Sequence, residues 1–343
     1  MLMVIFGAGA SYDSLGVLPP GVTLGQNSLP LADHLFDWRF RNEINLFDQL
    51  KPVVQIFQRA GAKVEQELQA LQSQVTEDRE RFKQLAAIRY YLQVMLYNCQ
   101  SRWGSITAKV SNYGNLLDQI RHTKRVDDKV CLVTFNYDTL LEEAFPTVGV
   151  SIRSVHDYVK SDYRLIKLHG SVNWARSIAS PNPENIRGRQ HMDIVNELIE
   201  KAADLKLRDE YGIIELHAGE GLPVGRTNRE PFVPIFPALT IPVESKQEYE
   251  CPSEHLDVLK DALPRLTKLL IIGWRGAEKN FLNTLAHNVK SDTRVLVVSS
   301  SVESAKKVIE NMEKAGVSAN FIVGNGGFSH VVLSGETERF LTS

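Results

Sequence analysis

Short apolar runs bounded by turn or polar residues recur along the chain, and they predict the strands of a sheet. The runs are residues 2–6, 130–135, 165–168, 269–273, 295–298 and 320–323. They are apolar on both faces rather than alternating, as a parallel sheet with helices on both sides requires. The pattern therefore predicts an α/β fold with a doubly wound, Rossmann-like parallel sheet.

Two amphipathic series lie between the first and second predicted strands, separated by the polar stretch TEDRER. Their apolar residues recur about every three to four positions, as in helices that bury one face. They are Val54, Phe57, Val64, Leu68, Leu71 and Val75 in the first series and Leu85, Ile88, Leu92 and Met95 in the second. We predict an inserted helical hairpin, within a helical insertion over residues 45–125. Its apolar faces serve either to pack against the chain's own sheet or to contact another protein.

A second, smaller insertion is predicted over residues 175–232. This stretch is polar and rich in proline, asparagine and arginine, with one helical piece at residues 191–206. We expect it to be mainly helical or irregular. Residues 1–343 are thus interpreted as a single α/β domain that carries two insertions.

The clearest single helix is predicted near the C-terminus, between the last two strands. Ser300 and Glu303 form a capping box at its start, and Gly316 stands where a C-terminal cap belongs. Its apolar face consists of Val302, Ala305, Ile309 and Met312.

Composition narrows the class of protein without indicating a partner. The chain has 343 residues, of which 43% are hydrophobic and 23% charged, and a net charge of −2. This balance is typical of a soluble globular protein, and it predicts neither direct nucleic-acid binding nor a membrane surface as partner. The N-terminal apolar stretch is interpreted as the first strand rather than as a signal peptide, because it lacks a basic region before it.

Cysteine and histidine usage predicts no metal site. Cys99, Cys131 and Cys251 lie far apart and form no CxxC pair, and the nine histidines are dispersed. Neither a zinc ribbon nor a disulfide framework is expected, and the reducing cytoplasm is the expected compartment.

A glycine-rich turn, GAGAS, follows the first predicted strand. Gly7, Ala8, Gly9 and Ser11 lie where a backbone can approach a pyrophosphate and a helix N-terminus can face it. Position 12, where the full dinucleotide fingerprint has a third glycine, is Tyr12. The alternative is a turn that only packs a helix closely on a strand.

Polar residues follow two further strands at the same predicted edge of the sheet. Asn136 and Asp138 follow one strand in NYDTLLE, and His169 follows the next in KLHGSVNW. Taken singly, Asp138 is equally suited to cap the helix that begins there, and His169 to be a hydrogen-bonded core histidine. Together with the glycine turn, these three residues predict a reaction centre that binds a dinucleotide.

In order and kind, these motifs resemble those of the sirtuin superfamily. The resemblance is carried by GAGAS, TFNYDTLLE, KLHGSVNW, PALTIPVESK and LLIIGW, which together span most of the chain. In this respect the chain is most similar to the sirtuin-like enzymes that hydrolyse NAD+ in bacterial anti-phage defence.

The resemblance implies a role for each matching residue. Asn136 would hold the nicotinamide ribose and position a water, and Asp138 would engage the nicotinamide carboxamide. His169 would orient or deprotonate the ribose hydroxyls. The pyrophosphate of NAD+ would lie on Gly7, Ala8, Gly9 and Ser11.

The chain also departs from the sirtuin pattern. The paired CxxC zinc ribbon of protein-deacylating sirtuins is absent, and the cysteine-free stretch 175–232 stands in its place. This weakens the case for an acyl-lysine substrate.

Further departures concern the nucleotide-binding residues. After the strand that ends at Gly273, Trp274 and Arg275 stand where many sirtuins have Thr-Ser or Tyr-Ser. Arg275 either contacts a phosphate or is a solvated loop residue, and NGGFSH (325–330) either closes over the adenine or is an ordinary turn. Ser299 and Ser300 either bind the adenosine ribose or cap the helix that follows them.

The predicted function is NAD+ glycohydrolase activity that releases nicotinamide and ADP-ribose, in an anti-phage effector that depletes cellular NAD+. The alternatives are an NAD-dependent protein deacylase and a non-catalytic module that senses NAD or ADP-ribose. Because an unrestrained NAD+ hydrolase would kill its own cell, we expect control by homo-oligomer formation or by a partner protein. In related systems the partner is a hexameric DNA-translocating ATPase or a nucleic-acid-guided protein.

Overall fold

The computed structural model describes residues 1–75, 78–180, 189–214, 235–243 and 249–343. The chain divides into two compact units. The first comprises Met1–Leu29, Arg102–His169 and Ser245–Ser343, and the second comprises Pro30–Ser101 and Gly170–Glu244. Each unit contains a sheet of its own.

The strands and helices of the described residues are as follows. The strands are β1 (Leu2–Phe6), β2 (Val130–Thr134), β3 (Tyr163–Lys167), β4 (Gly170–Ser180), β5 (Lys206–Ile213), β6 (Ile235–Leu239), β7 (Lys268–Ile272), β8 (Arg294–Val298) and β9 (Asn320–Val323). The α-helices are α1 (Ala8–Tyr12), α2 (Leu24–Asn27), α3 (Arg41–Ile44), α4 (Lys51–Gln58), α5 (Val64–Ser73), α6 (Arg79–Thr107), α7 (Asn112–Thr123), α8 (Leu140–Ala144), α9 (Asp157–Lys160), α10 (His191–Glu200), α11 (Ser253–Ala262), α12 (Lys279–Asn288), α13 (Val302–Lys314), α14 (Phe328–Leu333) and α15 (Glu336–Thr342). Short 3-10 turns occupy Ala32–His34, Trp38–Phe40, Asp48–Leu50, Phe145–Val148, Ala202–Asp204 and Leu263–Arg265.

The sheet of the first unit is six-stranded and parallel, with the order β3-β2-β1-β7-β8-β9. Numbered within this sheet alone, the strands run 3-2-1-4-5-6, which is the order of a doubly wound Rossmann-like fold. All six strands that the apolar runs predict are present, and the predicted fold class is confirmed. The strand order reverses between β1 and β7, where a doubly wound sheet opens the crevice in which such folds bind their ligands.

Helix α13 has the predicted place, but its cap is one residue later than expected. Ser301, not Ser300, is the N-cap, and its hydroxyl accepts a hydrogen bond of 3.1 Å from the Ser304 N–H. Ser301 is the residue with the extended backbone that an N-cap requires. The capping-box prediction on Ser300 is therefore wrong by one position, which leaves Ser300 on the surface before the helix.

The second unit contains a three-stranded antiparallel sheet in the order β5-β4-β6. The prediction that residues 175–232 are mainly helical or irregular is therefore wrong for β5 and the end of β4, and only α10 agrees with its predicted helical piece. Strand β5 reads KLRDEYGI and lies mostly exposed, so it has no apolar run by which it would be recognised. Residues 181–188 and 215–232 of the predicted insertion lie outside the described residues.

The predicted hairpin corresponds to α4, α5 and α6, which contribute to the second unit. Buried tyrosines of α6 bond to backbone carbonyls inside this unit: Tyr91 Oη donates to Leu35 O at 2.6 Å and Tyr90 Oη to Ile235 O at 2.9 Å. The Phe36 ring stacks on Tyr91 with a centroid distance of 5.1 Å. These contacts pack α6 within the second unit, and the use of the hairpin to contact another protein stays a prediction. No helix in the described ranges is both long enough and apolar enough to cross a membrane.

The backbone of the β1–α1 turn lies directly against the end of β7. The N–H groups of Gly7 and Gly9 donate to Ile272 O at 3.0 Å and to Gly273 O at 3.1 Å. Gly273 has a φ of +62°, and a Cβ there would lie 2.3 Å from the Ala10 nitrogen. Only glycine satisfies both the positive φ and the close approach, so Gly273 fixes the separation of β1 and β7 beyond their last residues.

We expect Gly273→Ala to destabilise the first unit severely, by more than about 3 kcal/mol, because it adds a backbone clash to an unfavourable φ. Gly149→Ala is the matched control. Gly149 also has a positive φ, +73°, but nothing lies within 4 Å of the position that a Cβ would take there. Its cost should be only the left-handed backbone penalty of about 1 kcal/mol. Urea unfolding followed by circular dichroism measures both, and equal costs would show that crowding at Gly273 is relieved by a shift of the turn.

Candidate active site

The structure places most of the predicted site residues at the carboxyl edge of the six-stranded sheet. Gly7 follows β1, Asn136 and Asp138 follow β2, and His169 follows β3. Gly273 and Arg275 follow β7, and Ser299 and Ser300 follow β8. Their surroundings differ, because some of these residues are buried and bonded to one another and others are exposed.

Asn136 is bonded to the glycine turn. Its Nδ2 donates to Gly7 O and to Ser11 Oγ, both at 2.9 Å, and it lies 3.4 Å from Tyr113 Oη. The side chain is only 7% exposed. The amide must point its NH2 group at Gly7, because the reverse orientation would set two carbonyl oxygens against each other. The amide oxygen is therefore the atom through which Asn136 would contact a ligand.

Tyr113, on α7, completes this hydrogen-bond network. Its hydroxyl lies 2.9 Å from Ser11 Oγ, and its ring packs edge-on against Phe6 and Phe328. Burial, reinforced by the charge of Asp138, raises the pKa of Tyr113 well above its ordinary value. Tyr113 is thus a neutral hydrogen-bonding group that holds Ser11 beneath the turn.

Asp138 bonds to the start of α8, although the N-cap of that helix is Thr139. Its Oδ1 accepts a hydrogen bond of 3.1 Å from the N–H of Leu140, the first residue of α8. The side chain is 6% exposed. A contact with a ligand would have to use its other carboxylate oxygen.

A buried ion pair lies directly behind Asp138. Lys167, at the end of β3, is fully buried, and its Nζ contacts Glu142 Oε1 of α8 at 2.8 Å. The same Nζ donates to the main-chain carbonyl of Asp138. Burial raises the pKa of Glu142, and the charge of Lys167 opposes that rise. Tyr158 Oη also donates to Glu142 Oε1, at 3.1 Å.

His169 is enclosed by aromatic rings. Its imidazole lies edge-on to Phe135, with a centroid distance of 5.0 Å, and Tyr137 lies at 6.2 Å. Phe135 in turn stacks on Trp274 at 5.5 Å with only 6° between the ring planes. His169 is 4% exposed, so its ring is oriented by packing before any ligand is present.

Three backbone N–H donors of the glycine turn are already bonded within the protein. The Gly7 and Gly9 N–H groups bond to the end of β7, and the Ala10 N–H bonds to Gly7 O at 2.9 Å. Ala8 is the exposed residue of the turn. The glycines thus pack the turn closely on the end of β7, and pyrophosphate binding by this turn stays a prediction.

The remaining predicted nucleotide-binding residues lie outside this hydrogen-bond network. Arg275 is exposed, and its carbonyl accepts a bond of 3.2 Å from Asn311. Ser299 is half-buried and Ser300 exposed. The hydrogen bonds of the Asn136 side chain go to Gly7, Ser11 and Tyr113 and include none of these three residues.

The NGGFSH segment is docked on the end of α1. The Asp13 carboxylate accepts from the N–H of Ser329 at 3.0 Å and from its hydroxyl. Asn112 Nδ2 donates to the same hydroxyl at 2.8 Å. These bonds join the start of α14 to Asp13 and Asn112, and closure of the segment over the adenine stays a prediction.

Sequence reasoning missed Lys167, Glu142 and Tyr113. A charged residue that ends an apolar strand, as Lys167 does in LIKLHG, was an available signal. Nothing in the sequence marks Tyr113, because its role depends on where α7 crosses the turn. Among the described residues, no group of three or more His, Cys, Asp or Glu side chains is placed to hold a metal ion.

Comparison with known proteins yields a fold-level likeness. No protein-family profile matches the chain, and no curated protein is detectably similar to it in sequence. Similar solved structures include Sir2Tm bound to a propionylated peptide, at 12% identity and a TM-score of 0.43 over 99% of this chain and 94% of that one. A Sir2 homologue in an NAD complex matches at 13% identity and a TM-score of 0.38 over 99% and 88% of the two chains. A sirtuin from a study of substrate affinity matches at 13% identity and 0.34 over 90% and 93%. At these TM-scores the likeness assigns no activity to this chain.

Exchange of the Asn136 amide for a carboxylate tests the network. Asn136→Asp replaces the NH2 donor by an oxygen that faces Gly7 O, and we expect a loss of about 2–3 kcal/mol in the free energy of unfolding. Tyr113→Phe removes one hydroxyl from the same network and should cost only about 1 kcal/mol. Urea titration at neutral pH measures both losses. A cost for Asn136→Asp no larger than that for Tyr113→Phe would show that the amide does not hold the turn.

Proposed function

We propose that this chain is an NAD+ glycohydrolase that cleaves NAD+ to nicotinamide and ADP-ribose. The observation that carries the proposal is the direct bonding of Asn136 to the Gly7–Ser11 turn. It joins two of the motifs that resemble sirtuins at one edge of a doubly wound sheet, beside the strand-order reversal where such folds bind nucleotides. His169 follows the neighbouring strand on the same edge.

The chemistry of the reaction suits the groups at this edge. Cleavage of the nicotinamide–ribose bond develops positive charge on the ribose, in an oxocarbenium-like transition state. Oxygen acceptors that are held in place before the reaction stabilise such charge. The Asn136 amide oxygen is held in this way, since its NH2 group is bonded to Gly7 and Ser11. In this proposal that oxygen orients the attacking water or a ribose hydroxyl.

His169 is assigned the proton transfer. An imidazole exchanges protons near neutral pH and is the side chain most often used for general acid–base catalysis. Packing against Phe135 fixes the plane of the ring. In this proposal His169 orients a ribose hydroxyl and accepts its proton as charge develops, while Asp138 engages the nicotinamide carboxamide through its uncapped oxygen.

The biological setting is part of the proposal. An enzyme that hydrolyses NAD+ must be restrained until it is needed, and an anti-phage effector is the setting in which NAD+ depletion has a use. We propose that control comes from homo-oligomer formation or from a partner such as a hexameric ATPase. Hydrolysis in the absence of any partner by a strict monomer would contradict this part alone.

The test is chromatography of NAD+ incubated with the purified protein, alone and with the product of its neighbouring gene. The wild-type chain should yield nicotinamide and ADP-ribose, and His169→Gln should reduce the rate by roughly 10²-fold or more. His255→Gln is the matched control, because His255 is also fully buried in the first unit but bonds through Nε2 to Val155 O at 3.0 Å. Its rate should stay near that of the wild type.

Three results would contradict the proposal. Equal losses in both histidine variants would show that His169 acts through stability alone. Turnover of an acyl-lysine peptide that exceeds NAD+ hydrolysis would favour a deacylase. Tight binding of NAD+ or ADP-ribose without conversion in either condition would favour a sensing module.

A further inference from the structure

The buried ion pair between Lys167 and Glu142 is not explained by a contribution to the stability of the fold. The side chains are 0% and 8% exposed, so both charges have been removed from water. Glu142 Oε2 is buried and has no hydrogen-bond partner among the described residues. Removing two charges from water costs free energy that their mutual attraction only partly returns, and an apolar pair of similar size is often as stable or more so.

What the pair does achieve is to join three segments at the carboxyl edge. Lys167 ends β3, two residues before His169. Its Nζ bonds to Glu142 of α8 and to the carbonyl of Asp138, in the loop that contains Asn136. A fully buried lysine can direct its donors only to the acceptors around it. The bond from Nζ therefore fixes the Asp138 carbonyl relative to the end of β3.

The Asp138 carbonyl connects the loop to β3, because it accepts the hydrogen bond from Lys167 Nζ. On its other side, the loop is held by the Asn136 N–H, which donates to Thr134 Oγ1 at 3.0 Å, and by the Leu140 N–H, which donates to Asp138 Oδ1 at 3.1 Å. Those two bonds lie within the loop and its own flanking residues. Lys167 therefore supplies a polar bond that ties the loop to the strand leading into His169.

We propose that Lys167 is a positioning residue, which sets the Asn136–Asp138 loop relative to His169 through the Asp138 carbonyl, with Glu142 as the counter-charge that keeps its Nζ in place. The proposal rests on the proposed function, because it concerns the geometry of that same site. Lys167 has no contact with substrate in this role. It acts on the rate through the residues that do.

The test replaces the ion pair by an apolar pair. The double variant K167M/E142L keeps the volume but removes the bond to Asp138, and it should unfold at a urea concentration equal to or above that of the wild type. We expect its kcat for NAD+ to fall by roughly 10²-fold, as a small displacement of a reacting group does, with KM changed by less than about threefold. Tyr158→Phe is the matched control. It removes the hydroxyl that bonds to Glu142, leaves the Lys167 contact with Asp138 in place, and should leave kcat unchanged.

Hydrogen exchange provides a readout that does not depend on activity. In K167M/E142L the amide of Leu140 should exchange at least about tenfold faster than in the wild type, because its acceptor lies in the released loop. The amide of Phe135, which bonds to Phe6 O at 3.0 Å in the sheet, should be unchanged. If the double variant does not fold, K167Q/E142Q is used in its place. The glutamine side chain is one bond shorter than that of lysine, so this variant also removes the bond to the Asp138 carbonyl and leaves no buried charge.

The outcomes separate the two proposals. Faster exchange at Leu140 with no NAD+ hydrolysis by the wild type, alone or with the product of the neighbouring gene, would support the positioning role and overturn the proposed function. NAD+ hydrolysis by the wild type with undiminished kcat in the neutral variant would overturn the positioning role alone. A fall in kcat together with a lower free energy of unfolding would also overturn it, because the effect of Lys167 on the rate would then come from stability alone.

Discussion

The close approach of the β1–α1 turn to the end of β7 is the constraint on which the rest of the sheet edge depends. Two backbone N–H groups, of Gly7 and Gly9, bond to β7 and its following residue, and this leaves no room for a side chain at Gly273. The turn's position then determines where Gly7 O lies, and that carbonyl is what orients the Asn136 amide. A contact between two backbones thus sets the placement of a side chain that follows a third strand.

The neighbouring strands are joined at the same edge by side chains instead of backbone. Asn136 bonds the tip of β2 to the tip of β1, and Lys167 bonds the tip of β3 to the loop after β2. Each link is a buried polar bond, so breaking one would leave an unsatisfied group and not merely a gap. This connectivity means that bonds within the protein itself set the positions of Asn136 and of the Asp138 carbonyl at this edge.

The sequence predicted the sheet well, because buried parallel strands are continuous apolar runs whose lengths the chain displays directly. It did not predict β4, β5 and β6. For β5 the reason lies in its sequence, because KLRDEYGI contains no apolar run and none of its residues is fully buried. It placed Asn136, Asp138 and His169 on the correct edge from topology alone. It did not find Tyr113 or Glu142, because both reach the edge from helices whose crossing positions no local pattern encodes.

At the carboxyl edge of the sheet, the donors that are already bonded within the protein limit which part of a ligand can bind there. The donors of Asn136, Gly7 and Gly9 are already bonded within the protein. The atoms of Asn136 and Asp138 that remain for a ligand are oxygens, which stabilise positive charge and repel phosphate. On the proposed function this arrangement favours the cationic nicotinamide–ribose end of NAD+ beside Asn136. On the same proposal the pyrophosphate lies away from these oxygens, because they would repel its negative charge.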